Sequence, residues 1–368
     1  MSEVLAPRYQ VTMNGITLEG VISLTVSVAL SFQVGTFSFT KGFVPGDKFP
    51  RSWWAATSTK TMRVVISLST DGITYTPVMT GNVDNHSWNM LHNEVSVQGR
   101  DLAALLLDTR VTSTSRNQTA SEIVSAIAAK HGLTANVTAT KGFVGRYAGY
   151  NYDDTNAGNF NHAINEWDLV CRLGSQAGII PYVLNDTLYF NPPANSPPTF
   201  VASVSYDKNG MLISNVMDLT LSRNMTAAHD VIVTYRSWHA DQKETYTGTY
   251  RTSTKEASSQ PNTQPSRYLF IVPNLTKAQC QAKAQQMALD ISQHERTASI
   301  EVASLAIFTP VTVFQVKGTG TDYDMVYYPQ SITVSGSFQE FTTQVQGKFS
   351  SPLYLYDDET GVQMGQQS

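Results

Sequence analysis

Residues 21–39 read VISLTVSVALSFQVGTFSF, and their alternation decides the fold. Leu24, Val26, Val28, Leu30 and Phe32 fall on one side of an extended chain, and Thr25, Ser27, Ala29 and Ser31 on the other. A period of two over that length predicts one half-buried strand or a pair of them, because successive side chains of a strand point to opposite faces. Upstream, Val11–Leu18 contains Asn14-Gly15, a dipeptide that tolerates the positive φ values of a type I′ hairpin turn. Downstream, Met62–Leu68, Val78–Val83 and Glu94–Gln98 are further short strands, with Asp71-Gly72 as a turn. Such a succession predicts a small antiparallel barrel or sandwich.

Beyond residue 100 the period becomes helical. Leu102, Leu105 and Leu106 share a helical face within Asp101–Leu107. Thr119-X-X-Glu122 is a capping box, followed by Ile123, Val124, Ile127 and Ala128 and stopped by Gly132. A second helix is predicted over Asn165–Ala177, with Trp167, Val170, Cys171 and Gly174 inward and Gly178 as its stop. Tyr182–Leu184, Asn185-Asp186 and Leu188–Phe190 then read as a hairpin, so this middle unit is α+β. Pro192, Pro193, Pro197 and Pro198 mark a boundary.

Strands resume at Phe200–Val204, Val216–Ser222 and Asp230–Tyr235. The polar stretch Arg236–Arg267 predicts a protruding hairpin or mobile loop. Asn274 is placed to cap a helix over 275–295 with two apolar stripes: Leu275, Ala278, Ala282 and Leu289 on one side, Cys280, Ala284, Met287 and Ile291 on the other. Two stripes predict packing on both flanks. Ser299–Ala306, Val311–Lys317, Met325–Val334 and Thr342–Val345 are again strands, before a loose tail over 351–368. The expected organisation is therefore mainly β with an α+β insert: a first β unit over 1–110, an α+β unit over 111–198 and a second β unit over 199–350.

Composition narrows the function. Charged residues make up only 15% of the 368, against roughly 25% in an average soluble protein. A net charge of −4 does not suit a basic nucleic-acid binder, whose affinity comes from neutralising phosphates. Met1–Gln10 has no apolar core of a signal peptide, and no run of eighteen apolar residues exists, so synthesis in a cytoplasm without membrane insertion is expected. Cys171 and Cys280 fall in predicted helices and read as buried thiols. No nucleophile elbow, zinc-protease helix, phosphate loop or dinucleotide fingerprint is present. His86 and His92 lack a third ligand nearby, and Asp153-Asp154 and Asp322/Asp324 read as solvated loops rather than a glycosidase pair. Neither a catalytic residue nor a cofactor or metal is expected. Trp53-Trp54, beside Arg51 and Lys60, fits a sugar platform, a partner contact or a core position.

The stretch Gly81–Phe190 resembles the baseplate hub proteins of contractile-tailed phages, the late-control protein D family, which is related to type VI secretion spikes. The resemblance rests on Gly81-Asn82-Val83-Asp84, on Val97-Gln98-Gly99-Arg100-Asp101-Leu102 with Leu106 and Asp108 following, and on Thr119–Leu133. It continues through Asn165-Glu166-Trp167-Asp168 to Leu173 and Gly178, and ends at Asp186-X-Leu-Tyr-Phe. Gly174 departs from it, standing where the family commonly has Ala. No β-helical needle or oligonucleotide-binding module follows residue 350, so the phage hub is the expected form, with the spike tip on a separate chain.

This resemblance implies a structural protein without enzymatic activity, a homotrimer in which each subunit supplies two tail-tube-like antiparallel β-barrels. Six barrels would dock on a hexameric tail tube protein, and the other end would hold a trimeric central spike protein. Tape measure and baseplate wedge proteins are further implied partners, with genomic DNA passing through a neutral or acidic lumen without specific binding. Trp53, Trp54, Ala284, Met287 and Ile291 are the candidate interface residues. A carbohydrate- or receptor-binding tail module, or a tail-associated hydrolase, are the competing expectations.

Overall fold

The computed structural model describes residues 8–28, 30, 32–56, 61–111, 118–140, 143–144, 165–192, 194, 196–224, 231–239, 242–252, 266–272, 275–292, 296–303, 308–337, 341–349, 355–356 and 363–364. The first β unit contains β1 (Arg8–Met13), β2 (Ile16–Thr17), β3 (Val21–Val28), β4 (Thr36–Gly42), α1 (Arg51–Ala55), β5 (Arg63–Ser69), β6 (Thr76–Asn89) and β7 (Glu94–Asp101). The stretch 21–39 is thus a pair of strands, β3 and β4. Asn14 and Gly15 turn between β1 and β2 at φ 51° and 78°, as the type I′ reading requires.

The α+β unit follows as α2 (Ala103–Leu107), β8 (Gln118–Thr119), α3 (Ala120–Lys130), β9 (Thr134–Val137), β10 (Phe143–Val144), α4 (Glu166–Ala177), β11 (Tyr182–Leu184) and β12 (Thr187–Phe190). Both halves of the expected capping box form: the Thr119 hydroxyl accepts from the Glu122 N–H at 3.2 Å, and the Glu122 carboxylate accepts from the Thr119 N–H at 2.8 Å. Asn165 caps α4 by accepting from the Asp168 N–H at 2.7 Å, and Gly178 closes it at φ 67°. Gly174 has a local reason. A Cβ there would lie 2.6 Å from the Ile179 carbonyl oxygen and 2.8 Å from the Pro181 ring. These elements close on a separate core around Trp167, Leu173, Leu188 and Phe190.

The last part contains β13 (Thr199–Tyr206), β14 (Leu212–Ser214), β15 (Asp218–Arg223), β16 (Val231–His239), β17 (Glu244–Arg251), β18 (Ser266–Ile271), α5 (Lys277–Ser292), β19 (Arg296–Ala303), β20 (Val313–Lys317), β21 (Val326–Ser337) and β22 (Phe341–Lys348). Much of 236–267 is therefore strand, in the β16–β17 hairpin and at the start of β18; residues 253–265 lie outside the described residues. The first helical residue of α5 is Lys277, and Thr276 with Gln279 forms a reciprocal capping box (2.8 and 3.3 Å). Asn274, the expected cap, lies outside the described residues. Of the expected tail only Leu355–Tyr356 and Gln363–Met364 are described, as a short antiparallel pair.

The two β units share one sheet of 14 strands. Its joint is β3 against β21, antiparallel, with Val28 opposite Ile332 and Ser23 opposite Ser337. The N-terminal core (Leu24, Val26, Phe37, Phe39, Val95, Val97) therefore reaches across to Val334 of β21. Its C-terminal counterpart is built from Ile300, Phe314, Tyr327, Ile332 and Val345. One inward position of β4 is a cation: Lys41 is fully buried, paired with Asp47, and donates to the Glu19 and Gly42 carbonyls at 2.9 and 3.2 Å. A second, three-stranded sheet, β17–β16–β18, is covered on one face by α5.

Candidate functional site

The side of the sheet opposite the two cores carries a distinct chemistry. Eight strands run in the order β15–β19–β22–β21–β3–β4–β7–β6, every neighbouring pair antiparallel. Register aligns Asp218, Glu301, Gln344, Thr333, Ser27, Thr36, Arg100 and Asn82 in one row across all eight. The next row reads Thr342, Ser335, Thr25, Ser38, Gln98 and Asn85, and a third Ser337, Ser23, Thr40, Ser96 and Ser87. Hydroxyls and amides dominate; among these positions only Asp218, Glu301 and Arg100 are ionised. Because strand side chains alternate, the apolar set that fixes the cores fixes this polar face too. The result is a hydrated, nearly uncharged wall.

Both ends of the wall are, among the described residues, open edges. Among the described residues β15 pairs only with β19. β6 is shared along its length: β5 covers it from Thr76 to Asn82, while from Asp84 onward it pairs, among the described residues, only with β7. With eight strands alternating in direction, these two end edges are antiparallel to each other. Unpaired edges of this kind are templates for another chain.

At the β6–β7 end the wall meets α2 through two acidic anchors. Arg100 donates from Nε and Nη2 to Asp84 at 2.7 and 2.9 Å, and from Nη1 and Nη2 to Asp108 at 3.1 and 2.9 Å. These contacts hold the guanidinium pKa above its ordinary value. Asp101 faces the other way. Its carboxylate accepts from the Gly35 N–H at 2.7 Å and the Ala103 N–H at 2.9 Å, and burial pushes its pKa up to about 7 against the pull of those donors. Gly81 and Gly99 of the quoted motifs let the strands close over Phe37: a Cβ at Gly99 would lie 2.2 Å from the Asn82 carbonyl oxygen and 2.4 Å from the ring. A shallow depression on the polar face lies here, lined by Thr25, Ser27, Thr36 and Gln98 beside Asp84 and Arg100.

The expected interface residues are placed as follows. Trp54 is enclosed by its own chain at 4% exposure, its indole N–H donating to the Phe49 carbonyl at 3.1 Å. Trp53, half-buried, packs edge-on against it with ring centres 4.9 Å apart. Ala284 is fully buried against β16 and β17 with Cys280 and Ala288, and Met287 and Ile291 are half-buried beside them. That stripe thus faces its own sheet, where Gly248 lets the helix backbone approach so closely that a Cβ would lie 2.3 Å from the Cys280 carbonyl carbon. Exposed apolar side chains gather elsewhere: Tyr206, Met211, Leu212, Ile213 and Met217 around β13–β14, and Trp238, Leu269 and Ile271 on β16 and β18. Sequence reading missed β14, whose run Met211-Leu212-Ile213 has no alternation to mark it.

The titratable candidates have local partners. His86 Nε2 bonds the Trp54 carbonyl at 3.1 Å, and His92 Nδ1 lies 3.0 Å from the Asn89 amide. Asp324 ties a turn by accepting from Thr319 and Gly320, Asp322 lies 3.6 Å from Arg296, and Asp153 and Asp154 are outside the described residues. Burial pushes the Cys171 thiol up to about 12. Among the described residues no three His, Cys, Asp or Glu side chains converge as metal ligands, and no helix is long and apolar enough to cross a membrane.

No protein-family model and no curated protein matches the sequence. Solved structures do match in fold. A tail protein from Neisseria meningitidis MC58 superposes with a TM-score of 0.67 at 17% identity, over 94% of this chain and 97% of that one. The chain has the fold of phage tail proteins. The 43 kDa tail protein of prophage MuSo2 from Shewanella oneidensis gives 0.63 at 12% identity, over 93% and 96% of the two chains. An Escherichia coli component of the type VI secretion system, described as similar to phage T4 tail proteins, gives 0.50 at 10% identity, over 96% of this chain and 79% of that one. At these identities the likeness is one of fold, and at that level the resemblance to phage tail proteins and type VI secretion components holds.

Proposed function

We propose that the chain is the structural hub of a contractile-tail baseplate, a homotrimeric ring joining the hexameric tail tube to the central spike. In this reading it has no catalytic role, assembles with tape measure and wedge proteins, and resides in the virion after synthesis in the host cytoplasm. The observation that carries it is the eight-strand polar wall with an open, oppositely directed edge at either end. Pairing β15 of one copy with the Asp84–Asn89 part of β6 in the next would continue an antiparallel sheet without a break. It would set Leu219 and Leu221 on the cored side and Asp218, Thr220 and Ser222 on the polar side. Three copies would close a ring of twenty-four strands. Barrels of about sixteen to eighteen strands already leave an aqueous channel, so this one would too. A wall of hydroxyls and amides with a slight acidic excess lets DNA pass without holding it, since phosphate binding needs free cations.

Solution mass and a low-resolution image of the purified protein test this. The expected result is a three-fold ring with an axial hole. A two-fold dimer would overturn the adaptor, and a lasting monomer at micromolar concentration would overturn autonomous ring closure.

A further inference from the structure

Arg100 is the sole cation in the three polar rows, and the chain surrounds it with carboxylates. All three guanidinium nitrogens are engaged, with a fork onto Asp84 and a second pair of bonds onto Asp108. The first partner depends on an irregularity: register shifts between Val83 and Asn85, leaving Asp84 as the extra residue of a β-bulge. Bulges re-aim a side chain that regular alternation would send elsewhere. The second partner depends on α2, at whose C-terminal end Asp108 sits and whose start is anchored by Asp101 to Gly35 and Ala103. Two separate devices thus converge on one arginine. We propose that Asp84 and Asp108 hold Arg100 as a screened cation, which ties β6, β7 and α2 together while presenting no free positive charge to a polyanion moving along the wall. This deepens the channel reading and rests on it.

The chemistry follows from what phosphate contacts require. An arginine binds a phosphate with the same fork that it offers a carboxylate, so a guanidinium committed on both edges keeps one of its five N–H groups and no free fork. Freed, it would add about one phosphate contact per copy, which weakens roughly threefold between 50 and 200 mM salt. The trio carries a net charge of −1, and losing the two carboxylates would leave +1 on the wall.

The test uses the full chain and a short blunt double-stranded DNA as probe, read by anisotropy at low salt. Asp84→Asn/Asp108→Asn is expected to gain salt-sensitive binding that the wild type lacks. Adding Arg100→Gln to that pair should abolish the gain, which assigns it to the freed guanidinium rather than to the missing carboxylates. Equal binding by the triple variant, or no gain in the double one, overturns the proposal. Should the double variant lose its melting transition, Asp108→Asn decides instead: its carboxylate is 61% exposed and lies outside the sheet, and it should show a smaller gain, while none refutes the screen. A wild type that is a two-fold dimer removes the hub reading and leaves this charge result intact. A ring without the gain removes only the screen.

Discussion

In the N-terminal half of the wall, β3, β4, β7 and β6 are backed by β5, β1 and the Trp53–Trp54 helix, and the chain leaves for the α+β unit only after β7 is complete. In the C-terminal half, β21, β22, β19 and β15 are backed by β20 and β13, and the chain leaves in mid-sheet, between β15 and β19, to build the β16–β18 sheet and α5. The polar face is nonetheless continuous across the joint: Ser335 stands beside Thr25 and Thr333 beside Ser27. What the halves share is register and side-chain class on one face. What differs is how apolar volume is supplied behind it. A ring of the proposed kind would constrain only the first of these, leaving the apolar backing free to differ.

The largest break between the halves should come from Ala284→Arg. Ala284 has no exposed surface and lies where α5 meets β17. An unpaired cation there costs several kcal/mol, enough to undock α5 from its sheet. Amide exchange should then accelerate in β16, β17 and α5 and stay slow in β3, β4 and β7, because among the described residues the two sheets share no strand pairing. Gln285→Arg, on the exposed side of the helix, should change nothing. Uniform loss of protection throughout would show that the insert and wall fold as one cooperative unit.

A pair of glycines sharpens the contrast within the wall. At Gly99 a Cβ would collide with the Asn82 carbonyl oxygen at 2.2 Å as well as with the Phe37 ring, and paired strand backbone cannot yield. At Gly347 the nearest atoms are side-chain ones, Phe314 Cε1 at 2.6 Å and Tyr327 Cβ at 3.1 Å. Gly99→Ala should therefore cost about 3 kcal/mol or more, and Gly347→Ala about 1–2 kcal/mol, in denaturant unfolding. Equal costs would mean that the C-terminal core is packed as rigidly as strand backbone.

What the sequence disclosed divides along physical lines. The hairpin at Asn14-Gly15, the box at Thr119, the Asn165 cap and the αL stop at Gly178 were legible because each is decided within a few residues. Pairing of β3 with β21 was not, since nothing near Val28 refers to a strand some 300 residues away. Thr245, Thr247 and Thr249 make β17 look like a loop, yet they occupy only its outward side; Gly248 faces the helix. The wall was half visible. Thr25 and Ser27 read as the solvent side of one strand, but only register joins them to Thr333, Gln98 and Glu301. The start of α5 is instructive as well, because Thr276-X-X-Gln279 repeats the pattern recognised at Thr119 and went unread.

The gentlest probe of the comparison is pH. Where the N-terminal half leaves the wall it buries a carboxylate, Asp101, whereas the C-terminal half buries a cation, Lys348, near the end of β22. Burial raises the folded-state pKa of Asp101 to about 7, above the ordinary 3.8 of an unfolded aspartate. Between those two values the folded state holds more proton than the unfolded one. The contribution is therefore fully present below pH 4 and is lost as pH rises toward and through 7, with a slope of at most about 1.4 kcal/mol per pH unit. Asp101→Asn removes the titration. It also sets an amide N–H against either the Gly35 or the Ala103 donor, so the variant should be less stable at pH 4, with a flatter profile above it. The difference in unfolding free energy between wild type and variant, followed from pH 4 to 8, isolates this one group from every other that titrates. That difference should shrink as pH rises. A difference that stays constant would mean that the two backbone donors balance desolvation and leave the pKa of Asp101 at its unfolded value, and one that grows would mean that they outweigh it.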